Sequence, residues 1–382
     1  MKKQLIIIMR NLAMGGAENV LINYLKSFDR SKYTISLILH TKEGELLSEV
    51  PADVAVSGLV PIDKGLFSKV LRVVYKRLLF YLPAILKIYY KRKYGTDKII
   101  VSFMEGISTN IATTFTGPKV AFVHTDVVSN PWADNAYRSF RQQADSYQRF
   151  QKIIFVSQSG ATAFKQRFGM VQTPYQIIHN VIDPTLIEKR SRIFDQTFEQ
   201  WKENTAGTFR IISVGRANEV KRFELLIQAF AKFSNEEAYS LTIVGGGVEF
   251  NALRKVVEDL GLAKAYLMGM QMNPLPYIAT ADLFVNSSRV ESYPTVLVES
   301  LVLETPVLAT RNGGAEEVLE AGRFGRLIKN ELSADELATA ISLATLDEEE
   351  LKDKAISAQG TFSAMQGVEA YDMVFNALDW NK

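Results

Sequence analysis

Two glutamates eight residues apart carry the strongest chemical signal in the sequence. Glu291 lies in a polar loop that follows the apolar run 283–286, and Glu299 lies in a predicted helix that starts at Pro294 and Thr295. Both carboxylates are therefore expected to face one loop. Because the neighbours of Glu299 are apolar, its carboxylate should be buried and hydrogen-bonded. A loop acid and a helix-capping or surface acid are the simpler interpretation of an arbitrary pair.

Two cations form a second candidate group. Arg216 and Lys221 lie five residues apart around a predicted strand-to-helix turn that contains Gly215. A guanidinium offers a forked pair of donors and an ammonium a point charge, so both could bind one diphosphate. Two solvated surface cations are an equally good interpretation of this segment alone.

A glycine pair near the N-terminus has the third chemical pattern. Gly15 and Gly16 stand between a predicted strand and a predicted helix, where the backbone can approach a phosphate at the positive end of the helix. The pair lacks the spacing of a dinucleotide fingerprint and the ending of a P-loop. Taken alone it is typical of an ordinary turn.

Composition limits the remaining chemistry. The 382 residues contain no cysteine and three scattered histidines, His40, His124 and His179, which argues against disulfides and a zinc cluster. No Asp-x-Asp pair suggests a bound metal, and no apolar run is long enough for a spanning helix. The short N-terminal apolar run is interpreted as a buried strand and not as a signal peptide. We expect a cytoplasmic protein.

Short apolar runs alternate with amphipathic stretches along the chain, which predicts α/β architecture with parallel sheets. The length predicts two domains, and the polar stretch 188–208 is interpreted as the linker between them. The predicted domains are 1–182 and 183–363, with a final helix in 364–382 that returns to the first. The predicted strands are 5–9, 34–39, 98–103, 119–124, 152–156, 210–214, 240–244, 283–286 and 307–309.

Taken together, these segments resemble retaining glycosyltransferases of family four, which have the GT-B fold. The resemblance covers nearly the whole chain and is most specific in 240–247, 267–274, the pair Glu291 and Glu299, 305–310 and 312–314. It implies two doubly wound Rossmann-like domains facing a central cleft. It also implies an N-terminal domain that binds the acceptor and a C-terminal domain that binds a nucleotide diphosphate sugar.

The resemblance also assigns roles to residues. It makes Glu299 the acceptor of hydrogen bonds from the donor ribose, places Glu291 and His124 near the transferred sugar, and has Arg216 and Lys221 stabilise the leaving diphosphate without a metal or cofactor. This chain has Ser292-Tyr293-Pro294 where the family often has Gly-Phe-Pro, so the sugar preference is open. Further donor-binding residues by resemblance are Gly15, Gly16, Gly215, Gly245, Gly269, Met270, Ser292, Tyr293, Pro294 and Thr295.

Segment 65–94 combines positive charge with apolar side chains. Between positions 64 and 93 there are nine Lys or Arg and no Asp or Glu, although the net charge of the chain is only +2. This composition favours contact with an anionic membrane surface, and a basic surface helix is the alternative. A nucleic-acid partner is disfavoured because the patch is local and no recognition module is present.

The function predicted from these patterns is retaining transfer of a sugar, from a UDP-sugar by preference, to a saccharide or lipid-linked saccharide in cell-surface polysaccharide biosynthesis. The enzyme would lie in the cytoplasm or peripherally on the inner face of the membrane. Three alternatives stay open: a GDP-sugar (mannosyl-type) transferase, a nucleotide-sugar epimerase and a non-catalytic subunit that binds sugar nucleotide.

Overall fold

The structure is a computed structural model that describes residues 2–63, 65–233 and 238–378. The chain divides into two compact units. The first contains Met1–Val181 and Ala364–Lys382, and the second contains Ile182–Ser363. Each unit is built around one parallel sheet covered by helices.

The first unit has a seven-stranded sheet in the order β3-β2-β1-β4-β5-β6-β7. Its strands are β1 Lys3–Met9, β2 Tyr33–Thr41, β3 Ala55–Val60, β4 Lys98–Ser102, β5 Lys119–Val123, β6 Lys152–Phe155 and β7 Tyr175–Ile177. Its helices are α1 Gly16–Ser27, α2 Leu66–Tyr81, α3 Pro83–Tyr94, α4 Ile107–Ala112, α5 Phe140–Gln148, α6 Gln158–Arg167 and, from the end of the chain, α16 Ala364–Asn376.

Burial on both faces explains the apolar composition of the central strands. Strand β1 pairs in parallel with β2 and β4, and its residues from Leu5 to Met9 are all buried. Strands buried on both sides read as continuous apolar runs because each face needs apolar side chains. Helix α16 completes one of these faces, since Tyr371, Val374 and Phe375 lie in the same core as β1 and α1.

The second unit has a six-stranded parallel sheet in the order β10-β9-β8-β11-β12-β13. Its strands are β8 Phe209–Val214, β9 Tyr239–Val244, β10 Ala265–Gly269, β11 Leu283–Asn286, β12 Val307–Thr310 and β13 Arg326–Ile328. Its helices are α7 Pro184–Ser191, α8 Gln196–Asn204, α9 Phe223–Phe230, α10 Phe250–Asp259, α11 Leu275–Thr280, α12 Thr295–Val302, α13 Gly313–Val318, α14 Ala334–Leu346 and α15 Glu348–Ile356.

Both sheets are doubly wound, which confirms the predicted fold class. In each sheet the strand order reverses beside the first strand of the unit, between β1 and β4 and between β8 and β11. Ligands of such sheets bind outside the carboxyl ends of the strands at this reversal. The loops that follow β8 and β11 are therefore the first place to look for a site in the second unit.

The predicted linker is wrong. Stretch 188–208 contains the end of α7 and all of α8, and the chain passes between the units at Val181 and Ile182. The side chain of Asp195 caps α8, whose Phe198 and Trp201 are buried in the core of the second unit. The stretch reads as polar because the rest of α8 faces solvent.

Four strands have no counterpart in the prediction: β3, β7, β10 and β13. All four lie at the edges of their sheets, and their residues are mostly partly buried or exposed. An edge strand is covered less completely, so its apolar pattern is weaker. Among the described residues no helix has the length and apolarity required to cross a bilayer.

Candidate functional site

The loops at the carboxyl ends of β8, β9 and β10 are joined by backbone hydrogen bonds. The amide of Gly215 donates to Val244, that of Ala217 donates to Gly246, and that of Gly245 donates to Gly269 over 2.7 Å. A Cβ on Gly245, whose φ is +141°, would lie 1.8 Å from the carbonyl oxygen of Gly215. No side chain fits there, so glycine allows the loops after β8 and β9 to touch.

Lys221 and Glu291 form the central contact of this edge. Lys221 ends a short 3-10 turn capped by the Asn218 side chain, and Glu291 lies in the loop after β11. The Lys221 Nζ and Glu291 Oε1 atoms are 2.5 Å apart, and both side chains are less than one-fifth exposed. A largely buried ion pair of this kind has a fixed geometry, because an unpaired charge would be costly at that depth.

The loop that carries Glu291 is held from three sides. Thr310 Oγ1 and Asn312 Nδ2 both donate to the carbonyl oxygen of Ser288, at 2.6 and 3.1 Å. The amide of Gly314 donates to the carbonyl of Glu291 over 3.0 Å. A Cβ on Gly314 would lie 2.7 Å from that same carbonyl oxygen, so this glycine sets how closely α13 approaches the loop.

Arg222 links the loop after β11 to Asn330, which follows β13. Its guanidinium donates to the carbonyl of Ser287 over 2.7 Å and to the backbone and side-chain oxygens of Asn330. Its backbone is left-handed, with φ of 50°, at the start of α9. Burial lowers its pKa. The Arg222 side chain therefore helps to hold the loop after β11 in position.

Glu299 lies in α12 and is partly buried. Within the described part of the chain its carboxylate has no protein hydrogen-bond donor, so the expected partner is missing. Burial raises the pKa of Glu299 to about 7, and the positive charge of Arg190 on α7 opposes part of that rise. Glu299 is therefore a poorly solvated acceptor, which suits a ligand that brings its own donors.

The other predicted donor-binding residues of the second unit lie on the same edge. Met270 is half exposed directly after β10. Ser292 and Pro294 are buried in the loop after β11, while Tyr293 and Thr295 are partly buried. Arg216 is exposed directly after Gly215 in the loop that follows β8.

In the first unit, Gly15 and Gly16 lie where β1 passes into α1, and Gly15 is the N-cap of that helix. A Cβ on Gly16 would have no atom within 4 Å. The packing of the unit thus does not require glycine at position 16.

His124 follows β5 and is buried, which the prediction of a residue near the sugar did not anticipate. Its ring packs against Phe103 and Phe122, with centroid distances of 5.2 and 6.2 Å, and Nε2 is buried without a partner among the described residues. Burial lowers the pKa of His124, although the nearby charge of Glu105 acts in the opposite direction. In this conformation the imidazole is neutral at pH 7 and packs in the interior.

Glu105 is the residue of this region that the sequence analysis missed. It is fully buried and accepts three hydrogen bonds, from the backbone amide of His124, the hydroxyl of Thr125 and the indole of Trp132. Its position shortly after a predicted strand was a usable signal. Other missed residues are Arg190, Arg222 and Asn330, whose contacts depend on long-range folding. Asn312 and Gly314 belong to segment 312–314, which carries the family resemblance but was assigned no role in the site.

Among the described residues, no three His, Cys, Asp or Glu side chains lie close enough together to share a metal ion.

Comparison with known proteins agrees with this fold. Residues 14–186 match the family described as Glycosyltransferase Family 4, and residues 195–360 match the family described as Glycosyl transferases group 1. The Anabaena protein HepE, solved with UDP-glucose, superposes with a TM-score of 0.76 over 98% of this chain and 100% of that chain, at 20% identity.

Two curated relatives are more similar in sequence. N-acetyl-alpha-D-glucosaminyl L-malate synthase of Bacillus anthracis is 28% identical over 70% of this chain and 66% of its own length. A Campylobacter jejuni protein, N-acetylgalactosamine-N,N'-diacetylbacillosaminyl-diphospho-undecaprenol 4-alpha-N-acetylgalactosaminyltransferase, is 35% identical over 31% of this chain and 33% of its own length. The chain thus matches less than two thirds of either relative.

The two doubly wound units and the loops at their carboxyl edges define a protein of the glycosyltransferase GT-B fold. Two adjacent family matches together cover most of its length. The chain belongs to glycosyltransferase family four.

Proposed function

We propose that this protein is a retaining glycosyltransferase that moves a sugar from a nucleotide diphosphate donor to a saccharide acceptor. The second unit would bind the donor and the first unit the acceptor. The observation that carries the proposal is the Lys221–Glu291 pair, fixed at 2.5 Å where the strand order of the second sheet reverses.

Lys221 and Arg216 would stabilise the diphosphate as it leaves. An ammonium has three donors, and Glu291 takes one of those of Lys221, so two remain for phosphate oxygens. Fixed positive charge at a developing anion is usually the largest catalytic contribution in such a site. The proposal therefore requires no divalent metal and no cofactor. The backbone from Ser292 to Thr295, at the start of α12, would add N–H donors to phosphate and sugar.

Glu299 would bind the ribose. Its carboxylate lacks a donor among the described residues, and two vicinal hydroxyls supply two. Hydrogen bonding to the charged form would lower the pKa of Glu299 on binding. The loops that contain Gly245, Gly269 and Met270 are joined by the hydrogen bond from the amide of Gly245 to the carbonyl of Gly269, and we assign them to the base and phosphates.

Retention would follow from attack on the same face from which the diphosphate leaves. The bond between the anomeric carbon and the diphosphate oxygen breaks, the acceptor oxygen bonds to that carbon, and a phosphate oxygen takes the acceptor proton. No side-chain base is needed, so neither Glu291 nor the buried His124 is given a proton-transfer step. We assign Gly15 and Gly16, at the start of α1, to phosphate contact.

The acceptor is proposed to be lipid-linked, in cell-surface polysaccharide biosynthesis, because helices α2 and α3 suit a membrane surface. Leu66 and Phe67 are 79% and 75% exposed, and Leu82 is more than half exposed. Seven cations are exposed on the same two helices: Lys69, Lys76, Arg77, Lys87, Lys91, Arg92 and Lys93. Apolar side chains and like cations on one helix pair fit an anionic bilayer, where each cation near the surface contributes about 1 kcal/mol. The protein would act from the cytoplasmic face, and nucleic acid is not a proposed partner.

A donor panel tests the reaction. The protein is incubated with UDP- and GDP-sugars, with and without lipid-linked acceptor, and free nucleotide is measured. We expect nucleotide release that depends on acceptor and is fastest with a UDP-sugar, and a product whose anomeric configuration by NMR equals that of the donor. Conversion of the donor sugar into its epimer would indicate an epimerase, and donor binding without any reaction would indicate a non-catalytic subunit.

Vesicle sedimentation tests the membrane proposal. Wild type should sediment with vesicles that contain phosphatidylglycerol and not with phosphatidylcholine alone. Serine at both Leu66 and Phe67 should weaken this binding, whereas serine at Leu346, an 81% exposed residue of α14, should leave it unchanged. Equal binding by all three proteins would end this part of the proposal.

A further inference from the structure

A cavity of about 230 Å³ lies in the first unit and is lined by residues of that unit alone. It is bounded by the turn between α2 and α3, by α4 and by one face of α5. Its lining includes Leu79, Pro83, Asn110, Thr113, Arg141 and Arg149. We refer to it as the cation groove.

The cation groove has an excess of positive charge. Arg141 and Arg149 are exposed on α5 or at its end, two turns apart and so on one face, and neither is in a salt bridge with another described residue. Asp145, one turn from each, is the acid among the lining residues. The lining thus contains two cations and one carboxylate.

Lys119 lies outside the lining of the cation groove and experiences the charge of Arg149. It is partly buried at the start of β5. Burial lowers the pKa of Lys119 to about 8, and the positive charges of Lys87 and Arg149 contribute to the shift. The charges of Lys87 and Arg149 thus disfavour the protonated form of Lys119, and an anion beside Arg149 would reduce that repulsion.

The neutral polar groups of the cation groove form its wall. Thr113 Oγ1 donates to the carbonyl of Asn110 over 2.6 Å, and Ser146 Oγ donates to the carbonyl of Gln142 over 2.8 Å. These hydroxyls are satisfied internally, and Lys119 Nζ donates to the carbonyl of Gly117, which leaves Arg141 and Arg149 as the cations without an ion-pair partner among the described residues. At the end of α2, outside the lining, the Arg138 guanidinium lies 4.2 Å from the ring centre of Tyr81.

Exposed apolar side chains border the cation groove. Tyr81, Leu82 and Ile85 flank Pro83 at the turn between α2 and α3 and are each at least half exposed. A ligand that fits both features has an anionic head for the cations and a hydrocarbon chain for this border. A free inorganic anion would use only the first feature.

We propose that the cation groove binds the phosphate headgroup of a membrane lipid, whose hydrocarbon chain passes over Tyr81, Leu82 and Ile85. This inference rests on the membrane contact of α2 and α3 advanced under the proposed function. The proposed function describes a general attraction of α2 and α3 to an anionic bilayer, and this inference adds a specific binding site for one lipid phosphate. Carboxylate lipids and net-neutral headgroups are not its ligands.

The experiment uses water-soluble short-chain lipids and the full-length protein. Dihexanoyl phosphatidic acid, dihexanoyl phosphatidylcholine and inorganic phosphate are titrated separately by calorimetry. Wild type is compared with Arg141→Gln/Arg149→Gln. The control is Lys202→Gln/Lys255→Gln, which removes two exposed positive charges from α8 and α10 of the second unit, outside the groove lining. Thermal melts and UDP binding of all proteins are measured in parallel.

Wild type and the control should bind the phosphatidic acid equally, and the groove variant should bind about thirtyfold more weakly, as expected for the loss of two cations near the anion. Equal losses in both variants would show general charge attraction and overturn the site. Inorganic phosphate that binds as tightly as the lipid would overturn the lipid assignment. The groove variant should lose phosphatidic acid binding but keep the melting temperature and the UDP affinity of wild type. That result would support the lipid site independently of the donor proposal. A groove variant that fails to fold is replaced by Arg141→Lys/Arg149→Lys, which should retain most of the binding.

Discussion

Replacement of Glu299 by glutamine isolates the cost of a buried carboxylate. Glutamine has nearly the same shape and carries no charge. Burial raises the pKa of Glu299 from 4.5 to about 7, a difference of 2.5 units. At 1.36 kcal/mol per unit this sets an upper limit of about 3 kcal/mol on the free energy that ionisation costs the folded protein. Solvent reaches part of the side chain, so we expect roughly half of that value.

The sign of the effect follows from the two pKa values. Between pH 4.5 and about 7 the folded protein keeps the Glu299 proton and the unfolded chain releases it. The stability of the wild type therefore falls as the pH rises through this window, and the full cost is reached above pH 7. Glu299→Gln has no such proton. Its stability relative to wild type should therefore increase with pH and level off near pH 8.

Urea unfolding of both proteins at pH 5, 6, 7 and 8 measures the difference. Glu258→Gln, which changes an exposed glutamate of α10, is the matched control and should show no comparable increase. A stability difference between Glu299→Gln and wild type that stays constant with pH, or that shrinks as the pH rises, would refute the burial argument.

Ligand affinity should respond in the opposite direction. If ribose hydroxyls donate to the ionised carboxylate, Glu299→Gln loses UDP affinity although it gains stability. At pH 6 only about one tenth of a group with a pKa near 7 is ionised, so wild-type affinity for UDP should be up to about tenfold lower than at pH 8. Calorimetry in buffers of different ionisation enthalpy would detect the released proton.

Three further substitutions test other parts of the site. Lys221→Gln should lower the transfer rate, measured as nucleotide release, by about 10²–10³-fold and should weaken UDP binding less. A transfer rate within threefold of wild type would contradict the role of Lys221 at the diphosphate. Gly16→Ala should leave the melting temperature unchanged and slow transfer. Gly314→Ala should lower the melting temperature, because its methyl group would lie 2.6 Å from the carbonyl oxygen of Ser292. Equal melting temperatures of the two variants would contradict these packing differences. Glu105→Gln replaces one of two accepting oxygens by a donor and should lower the free energy of unfolding by about 2 kcal/mol in urea titrations; unchanged stability would contradict its three hydrogen bonds.

The sequence allows the fold class to be predicted because the central strands are buried on both sides. Strand β11 was predicted with its observed bounds, and the strands around it lie within two residues of theirs. The prediction of a linker at 188–208 failed for the converse reason. Helix α8 buries only a few side chains, and the spacing of Phe198 and Trp201 is the sole local sign of its buried face.

Within the candidate site, the sequence separates residues by loop but does not pair them. It placed Lys221 and Glu291 on loops at one edge, and the structure adds that the two side chains touch. It also grouped Glu299 with Glu291, yet the charge that acts on Glu299 is that of Arg190, 109 positions earlier in the chain. Contacts across such distances depend on helix packing, which a local pattern does not encode.

Helix α16 has a consequence for biosynthesis. Tyr371, Val374 and Phe375 fill the core of the first unit, whereas every residue between Ile182 and Ser363 belongs to the second. A ribosome therefore finishes the second unit as an uninterrupted piece while the first still lacks part of its interior. The earlier-made unit is the later one to reach its complete packing, and until then its unfilled apolar surface is a target for chaperones.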